Sequence, residues 1–370
     1  MLDDSGELGN SLTGVTIITC HNSIRRNHHP SQSYGVSSTN TNTVMRSIWS
    51  QFFPPKADLT EANLPSQEGK VFIVTGGYSG IGFELCTILY NAGGKVYLAG
   101  RSQEKAEAAI AKIKDAHIST SPSSRDIAFL PLSLDDLTTI RPAVESFNST
   151  ESRLDILFNN AGICNPPSGS VSAQGHELQL ATNCLGPHLL TQLLLPMLQR
   201  TANVTQPGRV RVIWTSSVVA EISAPKNGLE LAELEHPHRD QQHNYVTSKV
   251  GNWFLAQSLA AQAGNDGILS LVQNPGNVKS ALTRHLPAIV PFLLAPLIYP
   301  ARMGAYTALW AGLSDDLTLE DGGKCVVPWG RLHKNPRDDL MEGMKSVEDG
   351  GARVAEKFME FCNKKVTKFM

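Results

Sequence analysis

The chain has 370 residues, 41% of them hydrophobic and 18% charged, a balance that suits a globular protein with a sizeable core. Its 32 basic and 34 acidic side chains leave a net charge of −2, so no basic excess points to nucleic acid or to an anionic membrane surface. Six scattered cysteines without a C-x-x-C pattern fit a reducing, cytoplasmic setting, and no apolar run reaches the ~18 residues of a membrane-spanning helix.

Residues 1–44 are rich in Ser, Thr and Asn and bury too little apolar surface to offset their ordering entropy, so an N-terminal disordered extension is expected. Met45 opens a more protein-like lead-in over residues 45–64 and is a candidate start site. From 65 to 345 strands and helices alternate, with a C-terminal helical tail over 346–370. The first strand, Val71 to Thr75, runs into Gly76-Gly77-Tyr78-Ser79-Gly80-Ile81-Gly82. Ile81, Leu85, Ile88 and Leu89 then follow at the spacing of one helix face. Strand, glycine turn and helix N-terminus together present unpaired N–H groups and the positive end of a helix dipole, which suit a pyrophosphate.

The second strand is expected at Lys95–Gly100 with a helix over Gln103–Asp115. A third strand spans Ile127–Leu134, with a helix over Leu137–Phe147. A fourth covers Leu154–Asn159 and leads into Asn160-Ala161-Gly162. Glu177–Arg200 reads as one long helix with Pro196 near its last turns. A fifth strand over Val210–Ser216 precedes a helix over Tyr245–Gln262, and Ile268–Val272 is a strand leading to Pro275-Gly276. Repeated βα units imply an α/β protein: a single doubly wound parallel sheet with helices on both faces and ligands at the carboxyl ends of its strands. The two long helices either pair between subunits or pack inward, and the sequence leaves both open.

Arg101 stands directly after the second strand, where an acid would hold a ribose 2′-hydroxyl and an Arg accommodates a 2′-phosphate. With Lys105 one turn further on, this favours NADP over NAD; the plain alternative is an Arg on a solvated helix start. Tyr245 and Lys249 lie one above the other on a helix face. Bringing a phenol from pKa ~10 to about 7 takes roughly 4 kcal/mol, which one cation ~4 Å away at an effective dielectric of ~20 can supply.

Taken in one order, Thr75–Gly82, Asn159–Gly162, Ser217 after the fifth strand, Tyr245/Lys249 and Pro275-Gly276 resemble the short-chain dehydrogenase/reductase family, over roughly Gly69 to Arg331. The resemblance implies a single Rossmann-type domain and NAD(P)-dependent interconversion of alcohols and carbonyls. Tyr245 would be the general acid/base, Lys249 would lower its pKa and bind the nicotinamide ribose, Ser217 would hold the substrate oxygen, and Asn183 would support a water-linked proton relay. Gly76, Ser79, Gly80, Ile81 and Gly82 would cradle the cofactor phosphates, with Asn160 along its ribose and Val278 and Ser280 near the nicotinamide and phosphates. Ser133, in Leu132-Ser133-Leu134, stands where the family usually carries an Asp that helps hold adenine, which implies weaker cofactor affinity.

The 28 positions from Ser217 to Tyr245 resemble the retinol-dehydrogenase-like branch and the oxidoreductases of fungal secondary metabolism, as do Gln51–Lys56 and a strand expected at Val327–Arg331. Leu286–Pro300, apolar and proline-rich, reads as a lid over a hydrophobic small-molecule substrate, ahead of core packing and of a patch dipping into a membrane surface. His236, His238 and His243 match no metal-site spacing, so no metal is expected. A competing class is an NADP-binding scaffold or redox sensor without catalysis, against which the complete Ser217, Tyr245, Lys249 and Asn183 set argues.

Overall fold

A computed structural model describes residues 47–116, 125–279, 298–345 and 350–370. One eight-stranded sheet carries the molecule: β1 (Val71–Thr75), β2 (Lys95–Gly100), β3 (Asp126–Pro131), β4 (Ile156–Asn159), β5 (Val210–Thr215), β6 (Ile268–Gln273), β7 (Cys325–Val327) and β8 (Arg331–Leu332). The spatial order is β3-β2-β1-β4-β5-β6-β7-β8. All neighbours are parallel except the antiparallel β7–β8 pair at one edge. Between β1 and β4 the order reverses, which opens a crevice at the carboxyl ends of these strands.

The strand sequences explain their place. β1 (VFIVT) and β5 (VRVIWT) are buried along their whole length, as strands covered on both faces must be. The exception to their apolar character is Arg211, which is 1% exposed. Its guanidinium donates to the carbonyls of Gly208, Ala311 and Ser314 at 2.8, 3.0 and 2.8 Å, so a buried cation keeps its partners, and burial lowers its pKa to about 10.

Helix α1 (residues 47–52) precedes the sheet. One face is covered by α2 (Gly80–Asn91), α3 (Gln103–Asp115) and α8 (Ala301–Leu313). The other carries α4 (Ile140–Thr150), the composite α5 (residues 178–202), α7 (Gln241–Ala263) and, outermost, α10 (Val354–Val366). Short helices α6 (Val219–Ile222) and α9 (Asp338–Met344) complete the set. The C-terminal helix is thus part of the core: Phe358 and Cys362 are fully buried.

Several element limits differ from the sequence expectation. β3 stops at Pro131 because Ser133 turns away toward a short helix whose first N–H groups are capped by Asp136, which accepts from Thr138 N at 3.1 Å. α7 begins four residues before Tyr245, where Asp240 accepts from Gln242 N at 2.9 Å. The long helix α5 is a turn (Leu178–Leu180), a π turn (Ala181–Leu185) and a helix (Gly186–Ala202), with Pro196 inside. Of Val327–Arg331, expected as one strand, Val327 ends β7 and Arg331 opens β8, with residues 328–330 as the tight turn between them. Of the expected lid over Leu286–Pro300, only Ile298 to Pro300 fall among the described residues.

Candidate active site

The glycine turn forms because backbone must pass where side chains cannot. Gly76 has φ +66° and Gly80 φ +54°, conformations that favour glycine. A Cβ on Gly82 would lie 2.5 Å from the Gly76 carbonyl oxygen and 2.7 Å from Asn160 Nδ2, whereas one on Gly80 would meet nothing. Gly82 therefore allows α2 to close on the turn, and Gly80 keeps the space in front of the helix clear. Ser79, the residue before the helix, makes no side-chain capping bond, and no acid stands in the first turn of α2. The first N–H groups of a helix have no intrahelical acceptor; here they are aimed into that open space.

Thr75 and Asn160 hold this turn. The Thr75 hydroxyl accepts from the backbone N–H of Asn160 and Ala161 at 3.0 and 2.9 Å, and Asn160 Nδ2 donates to the Thr75 carbonyl at 2.9 Å. The Nδ2 end of the Asn160 amide is thus engaged by the turn. Ile81 packs toward α8, where a Cβ on Gly304 would come within 3.2 Å of it.

Across the crevice, α7 and β5 carry the chemical groups. Ser216 Oγ donates to the Lys249 carbonyl at 2.7 Å and fixes the helix against the strand end. Its neighbour Ser217 accepts from the Val219 backbone N–H at 3.4 Å, and its hydroxyl stands close enough to the Tyr245 phenol to favour the phenolate. Lys249 Nζ lies 5.4 Å from the Tyr245 ring centroid and donates to the Thr215 carbonyl at 3.0 Å. Tyr245 is 8% and Lys249 3% exposed, so each pays for the loss of water in its charged form. Burial raises the Tyr245 pKa, with the neighbouring Cys164 adding to the rise and the Ser217 hydroxyl opposing it. Burial also draws the Lys249 ammonium down to about 8, while the Cys164 thiol is pushed up to about 11.

The expected acidification of Tyr245 by Lys249 is therefore incomplete in the protein alone. A protonated Lys249 beside the ring favours the phenolate, and burial of that phenolate works against it.

Asn183 sits in the π turn, a distortion that re-aims one side chain of a helix and recurs at functional sites. Its Nδ2 donates to the Ile163 carbonyl at 3.0 Å and to Ser248 Oγ at 2.9 Å, and its Oδ1 accepts from Ile163 N at 2.9 Å. A Cβ on Gly162 would stand 3.2 Å from both Asn183 Oδ1 and Lys249 Nζ. These two groups therefore share one small space, walled by Gly162.

A family model described as short chain dehydrogenase matches residues 70–229. A short-chain dehydrogenase/reductase of Phomopsis amygdali is 41% identical over 88% of this chain and 98% of its own length, and one of Pestalotiopsis fici is 40% identical over 86% and 96%. Among solved structures, the RhlG/NADP active-site complex of Pseudomonas aeruginosa superposes with a TM-score of 0.56 at 25% identity, covering 72% of this chain and 98% of that one. The chain belongs to the short-chain dehydrogenase family. It is accordingly an oxidoreductase acting on CH–OH and C=O groups.

Within this family frame, the strand ends around the glycine turn fit a nicotinamide dinucleotide: an uncapped helix N-terminus, an open glycine face and no competing acid. At the β2 end, Arg101 is exposed and pairs through Nη1 with Asp135 Oδ2 at 3.2 Å; Lys105, also exposed, follows one turn on. Asp135 escaped the sequence reading. It follows Leu132-Ser133-Leu134 directly, and the Ser133 hydroxyl donates to its Oδ1. A carboxylate thus stands against Ser133, supplied by the residue two positions later. Val278 is buried and bridges in parallel to Tyr299, while Ser280 lies outside the described residues. In the Ser217–Tyr245 loop, His243 Nε2 contacts Glu233 Oε2 at 2.6 Å and stacks on His238. Thr75, Asn274 and Gln51 were also missed, since nothing in their local sequence distinguishes them from ordinary polar residues.

Proposed function

We propose that the protein reduces a carbonyl on a hydrophobic small molecule with NADPH, in fungal secondary metabolism. The observation that carries this reading is the buried Tyr245 phenol with Ser217 beside it and the Lys249 amine 5.4 Å from its ring, held against the Thr215 carbonyl at the end of β5. Ser217 Oγ and Tyr245 Oη form two donors converging on one point, where a carbonyl oxygen gains negative charge as it is reduced. Tyr245 then delivers the proton from its hydroxyl to that oxygen. Lys249 stabilises the resulting phenolate, and Asn183 holds the backbone around Ile163 so that the Lys249 amine stays within the Gly162 pocket.

Gly76, Ser79, Gly80, Ile81 and Gly82 would hold the cofactor pyrophosphate, Arg101 and Lys105 its 2′-phosphate, and Val278 the nicotinamide side. When bound, the reduced nicotinamide supplies the hydride. Support for NADP comes from Arg101 at the end of β2, from the absence of an acid at that position, and from the NADP in the Pseudomonas aeruginosa RhlG complex.

The test is the loss of reduced-nicotinamide absorbance with a panel of apolar ketones and diketones, run in parallel with NADPH and NADH. Turnover with apolar substrates and preference for NADPH is expected. Preference for small charged substrates, or for NADH, overturns the corresponding part of the reading.

A further inference from the structure

Helix α1 lies far from the site in sequence and touches it through one side chain. Gln51 is 4% exposed, and both ends of its carboxamide are committed. Nε2 donates to Glu221 Oε2 at 2.8 Å, and Oε1 accepts from Asn274 Nδ2 at 2.8 Å. Glu221 is on α6, four residues past Ser217. Asn274 directly precedes Pro275-Gly276, and its Oδ1 accepts from Gly276 N at 3.0 Å. Gly276 has φ +77°, and the Val278 backbone N–H bonds back to its carbonyl.

His333 completes the junction on the other side of Glu221. Its Nε2 is 2.8 Å from Glu221 Oε1, and its Nδ1 accepts from Asn335 N at 3.2 Å. With Nδ1 accepting, the proton of a neutral ring is on Nε2, the nitrogen nearer Glu221. Two further bonds keep α1 in place: Arg331 Nη2 donates to the Ser50 carbonyl at 2.9 Å and the Tyr299 hydroxyl to the Phe52 carbonyl at 3.2 Å.

We propose that Gln51 is a positioning residue for the reaction, a clamp that sets the loop carrying Ser217 at a fixed distance from the loop carrying Gly276 and Val278. The proposal rests on the assignment of Ser217 to the substrate oxygen and of Val278 to the nicotinamide side. Each loop follows a different strand, β5 or β6, and past the strand ends the ladder no longer fixes their separation. A carboxamide is suited to the task because it offers a donor to the carboxylate and an acceptor to the amide at once. An apolar side chain at position 51 would leave both Glu221 Oε2 and Asn274 Nδ2 buried without that partner. Small errors in the placement of reacting groups cost turnover steeply even when binding is preserved.

The experiment uses the full chain with Gln51→Leu, and Gln51→Met as the variant closest in length should the first fold poorly. Hydrogen exchange at the Gly276 amide is expected to quicken at least about tenfold while the β1 and β5 amides hold. NADPH affinity, read by nicotinamide fluorescence, should stay within about threefold, whereas turnover of an aromatic diketone probe falls about tenfold or more, chiefly in kcat. In an Asn274→Ala background the Gln51 substitution should add little further loss of turnover, because a clamp already open at its Asn274 end no longer ties the two loops together, even with the Gln51–Glu221 bond intact. Unchanged exchange at Gly276, or losses from the two substitutions that multiply, overturns the clamp. A wild-type protein that turns over no carbonyl refutes the functional reading instead, and the exchange measurement then decides the clamp by itself.

Discussion

The ammonium of Lys249 donates to the backbone carbonyl of Thr215 at 3.0 Å, deep enough that the residue is only 3% exposed. A cation is thus kept at the end of β5 with one carbonyl as its recorded partner, and burial draws its pKa down to about 8 from an ordinary 10.5. The sign of the consequence follows from that order. Below about pH 8 the folded protein bears the full cost of a buried ammonium that the unfolded chain does not. As pH rises from 8 to 10.5 the folded-state amine is neutral while the unfolded one is still charged, so the cost fades; above 10.5 it is gone. Relative to Lys249→Met, the wild type should therefore gain stability across this window, by at most about 3 kcal/mol. Calorimetric Tm values for both proteins at intervals from pH 7 to 10.5 check this, and a difference that does not vary with pH refutes it.

Tyr245 is placed to exchange a proton, and its ring is packed by residues that a Phe would also satisfy. Tyr245→Phe should lower turnover by roughly 10²–10⁴-fold, the range that positioned acid/base groups supply. NADPH affinity should change little, because the glycine turn and Arg101 are untouched. Steady-state rates and fluorescence titration on the same preparation separate the two effects. Retained turnover would remove Tyr245 from the proton path.

How much of this was legible in the sequence depends on the range of the signal. The glycine turn, the Tyr245/Lys249 pair and the βα alternation are local patterns, readable because backbone conformation and helix periodicity act over a few residues. Asn183 was placed on a helix by its surroundings, but not in a π turn, since that distortion comes from bonds to Ile163 and Ser248 made only on folding. The bond by which the Asn160 amide holds Thr75, 85 residues away, was likewise not legible, because it too forms only on folding. Asp135 shows the same limit: Ser133 in place of an acid suggested weaker cofactor affinity, and the bend that brings the next carboxylate to Ser133 and Arg101 was not legible in the sequence.

That bend yields a prediction on cofactor choice. Asp135 neutralises Arg101 in an exposed pair and places a negative charge beside the guanidinium assigned to a 2′-phosphate. Asp135→Asn should free Arg101 and remove the repulsion, tightening NADPH relative to NADH by about threefold to tenfold, the scale of one exposed charge pair. The gain should shrink at high salt, since exposed charges are screened. The ratio of the two dissociation constants, measured at low and high ionic strength, is the test. An equal weakening of both cofactors would instead assign Asp135 to the adenine that they share.

The C-terminal helix bears on whether α5 and α7 face a second subunit or their own chain. Phe358 of α10 is fully buried, and a Cβ on Gly251 of α7 would lie 2.6 Å from its ring. Phe254 meets the same ring edge-on with centroids 6.0 Å apart, and His188 of α5 contacts Asn363 at 2.8 Å. α10 of the same chain therefore covers the face of α7 that carries Gly251 and Phe254, and meets α5 at His188. Removing that cover exposes a continuous apolar strip, a surface that drives association. Phe358→Asp should destabilise the protein by about 3–5 kcal/mol or more, the cost of deleting a buried aromatic with a carboxylate's desolvation added. Ending the chain after residue 350 should convert it into dimers or larger assemblies. Light scattering coupled to size-exclusion chromatography reads the second outcome directly: a truncated chain with the same mass distribution as the full-length protein would show that α10 guards no association surface.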